Sequence, residues 1–112
     1  MEENMKQSQL LKGVLEGCVL LIIGQGEIYG YELMQRLHAY GFTSVVGGTL
    51  YPLLTKLETQ EQITGNLRTS PDGPDRKYFR LTTSGVKAGQ DFERQWAELR
   101  AQVAAVVEDK NK

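Results

Sequence analysis

Cysteine, histidine and tryptophan are almost missing from this chain, which has one of each in 112 residues. A single cysteine, Cys18, cannot form an internal disulfide framework, so we expect a reducing, cytoplasmic setting in which Cys18 is a small buried apolar residue. Together with the lone His38 it cannot supply a zinc ligand set, and we expect neither a metal nor a cofactor. His38 itself lies late in a predicted helix, which is typical of a surface or capping residue.

Long hydrophobic runs are also missing. The longest unbroken apolar run, at 18–23, has six residues, whereas a helix that spans a bilayer needs roughly 20. Residues 1–9 are polar and lack the charged, apolar and small-residue succession of a signal peptide. The sequence therefore predicts no membrane segment.

Neither sign of charge dominates the chain. Its 13 lysines and arginines face 14 acidic residues, and the formal net charge of −1 excludes a chain-wide cationic surface of the histone kind. With 40% hydrophobic and 24% charged residues, the composition is typical of a folded protein, and the length fits one compact domain. Contact with nucleic acid would need a local concentration of positive charge.

The spacing of apolar residues predicts three short helices before residue 61. The first is expected over 10–23, before Gly24, and the second over 31–40, before Gly41. In the third helix Pro52 must lie near the start, where its missing N–H is harmless. The apolar face of this third helix has i, i+3, i+4, i+7 spacing and consists of Leu50, Leu53, Leu54 and Leu57.

The pattern changes its period after the third helix. Residues 63–69 and 76–82 are rich in threonine, tyrosine and other strand-favouring residues, and they flank the Pro- and Gly-containing segment 70–75. This pattern predicts a β-hairpin with a six-residue tip. Thr82 or Thr83 can then cap a final helix that runs to about residue 108.

The final helix carries an apolar seam with heptad spacing. Five side chains recur at steps of 4, 3, 4 and 3 residues, over about 21 Å, which is too much apolar length to leave in water on so small a chain. The seam packs either on its own domain or on a second subunit. Its members are Phe92, Trp96, Leu99, Val103 and Val106.

The glycine-rich stretch 24–30 superficially suggests a dinucleotide-binding turn. Its third glycine comes one residue late, and no acidic residue follows about 20 positions on. We therefore interpret the stretch as a helix terminus and a turn in which glycines relieve backbone strain. Carboxylates are numerous, but none is set in a recognisable catalytic motif, so the sequence does not support an enzyme.

Positive charge is concentrated in the predicted hairpin. Residues 63–82 hold four basic and two acidic side chains, whereas residues 1–62 hold four basic and seven acidic ones. Two helices joined by a short turn and followed by a basic hairpin are typical of a winged helix-turn-helix, in which the second helix enters the major groove and the hairpin reaches the backbone. We predict a mainly α (α+β) fold with a two-stranded β wing, in which 1–82 is the DNA-binding domain and 83–112 a long C-terminal dimerisation helix, as one continuous unit.

The face of the third helix opposite its leucines presents hydroxyl groups and one ammonium group. Such groups suit contacts to phosphates and base edges. An ordinary solvated helix face beside an ordinary basic hairpin would show the same pattern, because a local charge of +2 is modest. The candidate DNA-binding residues on this face are Thr49, Tyr51, Pro52, Thr55 and Lys56.

Four segments of the chain resemble the PadR family of bacterial transcriptional regulators. They are Tyr-Gly-Tyr-Glu-Leu at 29–33, Gly-Thr-Leu-Tyr-Pro-Leu-Leu at 48–54, Lys-Leu-Glu at 56–58, and Arg-Lys-Tyr-Phe-Arg-Leu-Thr at 76–82 followed by Gly85. The resemblance covers roughly residues 10–100 and implies a homodimeric winged helix-turn-helix repressor, joined through its C-terminal helix, on a palindromic double-stranded DNA operator. Carried over by position, Thr49, Tyr51 and Lys56 belong to the recognition helix and Arg76 and Lys77 to the wing.

Two positions depart from the family pattern. Residues Glu61, Gln62 and Ile63 replace the usual Gly-Leu-Ile after the recognition helix, so we expect a changed turn between helix and wing. At the wing tip the usual Gly-Pro-Arg-Arg is Gly-Pro-Asp-Arg at 73–76, so Asp75 replaces a cation. We expect weaker contacts of the wing to phosphate.

The single tryptophan, Trp96, resembles that of the small multidrug-responsive branch of the family, in which a tryptophan from each subunit lines a flat pore at the dimer interface. An indole is wide for a heptad seam and leaves room for a slot walled by Phe92 and Leu99, with Val103 further along the seam. The resemblance implies a flat aromatic effector, cationic or phenolic, that changes operator affinity by altering the separation of the wings. Packing of Trp96 in the dimer core alone is the alternative.

A second hypothesis for the whole protein comes from another class. A winged-helix dimer of this kind can serve as a protein–protein interaction module without specific DNA binding. The negative first part of the chain would then be the contact surface.

Overall fold

The computed structural model describes the backbone of residues 2–112 and the side chains from residue 9 onward. A three-stranded antiparallel sheet in the order β1-β3-β2 packs with four helices, so the fold is mainly α with a β wing, as predicted. In chain order the elements are α1 (Glu2–Ile23), β1 (Ile28–Tyr29), α2 (Gly30–Ala39), α3 (Gly47–Thr59), β2 (Ile63–Ser70), β3 (Gly73–Leu81) and α4 (Thr83–Lys110).

Helix α1 begins earlier than its apolar stripe indicates. The stripe predicts a start at residue 10, but the helix runs from Glu2, because glutamate, lysine, glutamine and methionine favour a helix without contributing to a stripe. Its end is as predicted. Gly24 closes the last turn through a bond from its N–H to the carbonyl of Leu20, and Gly26 follows with a φ of 151° that only glycine adopts readily.

The core lies between the apolar faces of α1, α2 and α3 and the inner face of the sheet. No polar or charged side chain is buried among the described residues. Cys18 is half-buried rather than buried, and burial raises the pKa of its thiol above the usual 9.0. The buried apolar residues are Leu15, Val19, Leu20, Ile22, Ile23, Ile28, Leu33, Leu37, Val45, Leu50, Leu54, Leu57, Ile63 and Phe79.

Helices α2 and α3 are joined by a short turn that His38 holds in place. Its imidazole is exposed, as predicted, and its Nε2–H donates to the carbonyl of Val45 over 2.7 Å. In α3, Pro52 is the sixth residue, so it lies one turn beyond the positions where a missing N–H is harmless. The carbonyl of Gly48 loses its N–H donor, and since Gly48 is exposed, water can replace that donor.

The end of α3 keeps a glycine-type turn without a glycine. Glu61 has a φ of 59°, in the left-handed region. The N–H of Gln62 donates to the carbonyl of Leu57, and the N–H of Glu61 donates to that of Glu58, both over 2.9 Å, which together form a Schellman motif. The expectation of a changed turn is therefore wrong in this respect, because Glu61 itself takes up the conformation that glycine favours.

The wing is longer and its turn tighter than predicted. Strands β2 and β3 pair from Ile63 opposite Leu81 to Ser70 opposite Gly73, so that only Pro71 and Asp72 remain in the turn instead of six residues. An irregularity in the pairing lies between Arg68 and Ser70. Strand β1, which the sequence does not predict, pairs with the other edge of β3 and joins the wing to the segment between α1 and α2.

Helix α4 is anchored at its start and exposed along the rest of its length. Thr82 caps it as predicted, since its Oγ1 accepts the N–H of Gly85 over 3.0 Å. A Cβ on Gly85 would lie 1.9 Å from the carbonyl oxygen of Gln62, so only glycine allows the helix to start there. Phe92 packs over Gly17 of α1, and every residue from 93 to 112 is exposed. No helix in the described residues is long and apolar enough to cross a membrane.

Candidate nucleic-acid interface

The outward face of α3 is a ridge between two clefts. All five predicted residues of this helix, Thr49, Tyr51, Pro52, Thr55 and Lys56, are exposed. The leucines on the opposite face hold the helix on the core, which fixes the direction in which the ridge points. The seven candidate residues of helix and wing therefore divide between the two sides of the ridge.

The cleft on one side, the α1 cleft, lies between α3 and α1. It has a volume of about 520 Å³ and is mainly apolar, with Leu11 and Leu15 on its far wall. From α3 it is lined by Thr49, Pro52 and Lys56, three of the predicted DNA-binding residues. These side chains thus share a surface with α1, which the sequence did not indicate.

Lys56 is engaged by a carboxylate of the same chain. Its Nζ donates to Oε2 of Glu16 on α1 over 3.0 Å, and both side chains remain open to solvent. Forty residues separate the two partners, so no local sequence signal could have revealed the pair. A phosphate that binds Lys56 must compete with Glu16.

The cleft on the other side, the wing cleft, lies between α3 and the sheet. It has a volume of about 360 Å³, and its lining includes Tyr51 and Thr55 of α3 and Arg76 and Lys77 of β3, four of the candidate residues. The structure adds Glu58, from the last turns of α3, to its lining. Helix and wing therefore line one continuous cleft, in which hydroxyl groups and charged side chains stand beside apolar ones.

Glycines determine where Tyr51 lies in the wing cleft. A Cβ on Gly30 would fall 2.7 Å from Cε1 of Tyr51, and one on Gly47 would fall 3.3 Å from the other edge of the ring. The ring thus fits between the starts of α2 and α3 and leaves its outer side exposed. Thr55 donates its hydroxyl hydrogen to the carbonyl of Tyr51 over 3.1 Å, so its free lone pairs are acceptors.

Arg76 and Lys77 point to opposite faces of the wing, because consecutive residues of a strand alternate. Lys77 lies on the face of Phe79, towards α3, and its Nζ donates to Oε1 of Glu58 over 2.8 Å. Arg76 lies on the outer face, where its guanidinium carbon is 4.6 Å from the centre of the Tyr29 ring. The wing thus supplies one cation that is paired with a carboxylate of α3 and one that lies over an aromatic ring.

Arg68 and Tyr29 belong to this surface but were not among the predicted site residues. Arg68 lies 4.5 Å over the ring of Tyr78 and also donates to the carboxylate of Glu27. The sequence placed Arg68 in the basic hairpin, which was a usable signal. Tyr29 lies in a segment that resembles the PadR family, but a two-residue strand shows no periodicity, so its place beside β3 could not be foreseen.

The apolar seam of α4 forms a separate surface. Phe92 is half-buried against α1 of the same chain, so this member of the seam packs on its own domain. Trp96, Leu99 and Val103 are 42%, 50% and 53% exposed. The predicted effector residues therefore divide into one side chain packed on α1 and three on an uncovered helix face.

Comparison with known proteins identifies relatives with the same fold. The transcriptional regulator PadR-like family matches residues 19–91. A crystal structure of a Streptococcus transcriptional regulator is 56% identical with a TM-score of 0.80, and the match covers 88% of this chain and 96% of that one. A PadR-like transcriptional regulator from Bacillus cereus is 44% identical with a TM-score of 0.82, over 89% of this chain and 97% of that one.

A third solved structure includes DNA. Bacillus subtilis PadR in complex with operator DNA is 27% identical with a TM-score of 0.65, and the match covers 70% of this chain and 45% of that one. The family match spans more than half of the chain and includes α2, α3, the wing and the anchored start of α4. The chain belongs to the PadR-like family of transcriptional regulators.

Proposed function

We propose that this regulator is a repressor that binds a palindromic DNA operator as a homodimer, with α3 in the major groove and the wing on the flanking backbone. The observation that carries the proposal is the wing cleft, which is lined by Tyr51 and Thr55 of α3 and by Arg76 and Lys77 of the wing, with the Arg76 guanidinium on the outer face of the wing. Hydroxyl groups and cations in this arrangement suit base edges and phosphates. The relative that was solved with operator DNA supports the same assignment.

Charge on this surface is partly neutralised within the chain. Lys56 and Lys77 are paired with Glu16 and Glu58, and Arg68 is paired with Glu27. Each exposed pair is weak, at about 0.2–1 kcal/mol, so a phosphate can replace the carboxylate. We therefore expect modest affinity for random DNA and a specificity that depends on base contacts from α3.

The uncovered face of α4 supports the homodimer. The exposed part of the helix, residues 93–110, extends for about 27 Å at 1.5 Å per residue and carries four seam residues, which are 42–70% exposed. Apolar side chains in such a row normally pack against another helix. A second copy of α4 supplies the same heptad spacing, and two α3 helices related by a twofold axis fit a palindrome.

We further propose that Trp96 lines an effector slot in this dimer. The indole is 42% exposed, and its seam neighbours Phe92 and Leu99 stand one turn away on either side. Two facing indoles would leave a flat apolar slot that suits a planar aromatic compound. Binding there shifts operator affinity only if the compound binds the two arrangements of the dimer with different affinity.

The first test is a fluorescence anisotropy titration of the intact protein with a labelled duplex from its own promoter region and with a random duplex of equal length. We expect tighter binding to the promoter duplex at physiological salt. Equal affinity for the two duplexes would overturn the repressor assignment. Binding to a protein partner without any salt-dependent DNA binding would favour the interaction-module hypothesis.

Two variants separate backbone contacts from base contacts. Lys77→Ala should weaken binding to both duplexes and flatten the dependence on salt by about 0.9 in log–log slope for each phosphate that the protein no longer binds. Tyr51→Ala should reduce the preference for the promoter duplex and leave the slope nearly unchanged. Thermal unfolding of both variants controls for loss of fold.

Trp96 also reports on the effector slot, because it is the only tryptophan. Planar aromatic compounds that enter the slot should quench its fluorescence, and the quenching should saturate. Absence of saturable quenching over a chemically varied panel would refute the slot and leave the dimer proposal intact.

A further inference from the structure

The outer face of the wing carries an aromatic pair with one arginine on each ring. Tyr29 of β1 and Tyr78 of β3 are directly opposite in the sheet, with ring centres 5.3 Å apart and planes at 58°. Arg76 lies over Tyr29 at 4.6 Å, and Arg68 lies over Tyr78 at 4.5 Å. We call these four residues the wing stack.

The register of the sheet explains why the stack is needed. Arg68 and Arg76 are paired directly opposite each other on β2 and β3, where like charges repel. Each guanidinium instead leans along the diagonal onto the ring of the next strand towards β1. The tyrosine faces thus separate the two cations and give each one a favourable partner.

The two arginines differ in what their N–H groups contact. Arg68 donates in its own plane to the carboxylate of Glu27, whereas Arg76 makes no ion pair with any carboxylate in the part of the chain that the structure describes. A guanidinium that lies over an aromatic ring keeps the N–H groups that point away from the ring available, and those groups match the geometry of a phosphate. A tyrosine ring therefore orients each arginine, but among the described residues only Arg68 has a carboxylate partner, and the N–H groups of Arg76 remain available.

We propose that Tyr29 is a positioning residue that holds Arg76 ready for a DNA phosphate, and that Arg68 clamps the wing to the segment before β1 without contacting DNA. This inference rests on the proposed DNA-binding function. It assigns a purpose to β1, since pairing with β3 is what brings Tyr29 beneath Arg76. It also divides the two stacked arginines into Arg76, which binds phosphate, and Arg68, which holds the sheet to the segment before β1.

The test uses the full chain and a fluorescein-labelled random-sequence duplex at several potassium chloride concentrations, because phosphate contacts do not depend on sequence. Arg76→Ala should weaken binding and flatten the log–log salt slope by about 0.9 for each wing in contact. Arg68→Ala is the matched control, which removes the same charge from the opposite strand and should leave the slope unchanged. An equal decrease of slope in both variants would overturn the division of roles.

A double-mutant cycle tests the role of Tyr29. Tyr29→Ile, a β-branched replacement suited to a strand, should weaken binding about two- to fivefold for each wing in contact, the usual strength of an exposed cation–π contact. Tyr29→Phe keeps the ring and should restore the affinity of the original protein. In the Arg76→Ala background Tyr29→Ile should have no further effect.

The outcomes separate this inference from the proposed function. Salt-independent or absent binding of the original protein would overturn the DNA-binding function itself. Normal binding with an undiminished effect of Tyr29→Ile in the Arg76→Ala background would overturn only the positioning role. Should Tyr29→Ile fail to fold in circular dichroism, the comparison of Arg76→Ala with Arg68→Ala still decides whether Arg76, and not Arg68, contacts phosphate.

Discussion

Glu61 occupies a backbone conformation that suits glycine better than any side chain. Its φ of 59° lies in the left-handed region, where a Cβ crowds the following carbonyl. Glu61→Gly should raise the free energy of unfolding by about 0.5–1 kcal/mol, as measured by urea denaturation at a fixed protein concentration. Gln60→Gly is the control, because Gln60 has an ordinary φ of −80° and glycine there should lower the stability. The explanation fails if both variants change stability in the same direction.

Glu58 holds Lys77, so its removal should tighten DNA binding. The pair spans 2.8 Å and its side chains are 30% and 44% exposed. Glu58→Gln should increase affinity for a random duplex by up to about fivefold, since an exposed pair is worth at most about 1 kcal/mol. Glu108→Gln removes the same charge from the last turns of α4 and should change affinity much less. Weaker binding by Glu58→Gln would mean that the carboxylate positions Lys77 instead of competing with DNA.

Single residues differ in how far the sequence could place them. The exposure of Lys56 and Tyr51 followed from helical spacing, because the leucines on the opposite face fix the rotation of α3. The Glu16 partner of Lys56 could not be foreseen, since it depends on the packing of α1 against α3. The conformation of Glu61 was also hidden, because glutamate rarely adopts it.

At the scale of elements, the contact between α1 and α4 depends on the absence of a side chain at Gly17. A Cβ there would lie 2.1 Å from Cγ of Phe92. Gly17→Ala should therefore displace the Phe92 ring and lower the free energy of unfolding by about 1–3 kcal/mol in urea denaturation. Gly13→Ala in the same helix meets open space and should stabilise by about 0.5–1 kcal/mol. Equal effects at the two glycines would contradict this account of the packing.

The elements themselves could be predicted in proportion to their length and periodicity. Helix α3 and the cap of α4 followed from the leucine spacing and from Thr82. Strand β1 was missed because two residues carry no periodic signal. The turn of the wing was predicted too long, because Gly73 and Pro74 indicate a loop although they continue an exposed strand.

At the scale of the whole molecule, the seam of α4 should control assembly. Leu99 is 50% exposed on the helix face that we assign to the dimer. Leu99→Asp places a charge in that seam and should convert the dimer to a monomer in size-exclusion chromatography with light scattering. Ala101→Asp, on the opposite face of the same helix, should leave the mass unchanged. A monomeric original protein, or a dimer that tolerates Leu99→Asp, would contradict the proposed interface.

The sequence predicted the existence of this seam and left its partner open. Heptad spacing identifies a face that needs cover, but it does not specify which surface provides that cover. For Phe92 the structure decides between its own domain and a second chain, because this side chain packs on α1 of the same chain. The remaining members are assigned to the proposed interface between two chains, which periodicity within one chain does not describe.

Strand β1 ties the wing to the segment between α1 and α2, and the Schellman turn at Glu61 ties the wing to α3. Helix α3 and the wing are thus parts of one connected structural unit. In the proposed dimer two such units would face the DNA, and the quantity that can change is the distance between them. DNA offers its half-sites at a fixed interval of about 34 Å per helical turn. An effector would then switch this regulator by changing the distance between the two recognition helices so that it no longer matches the spacing of the half-sites, without any change within either unit.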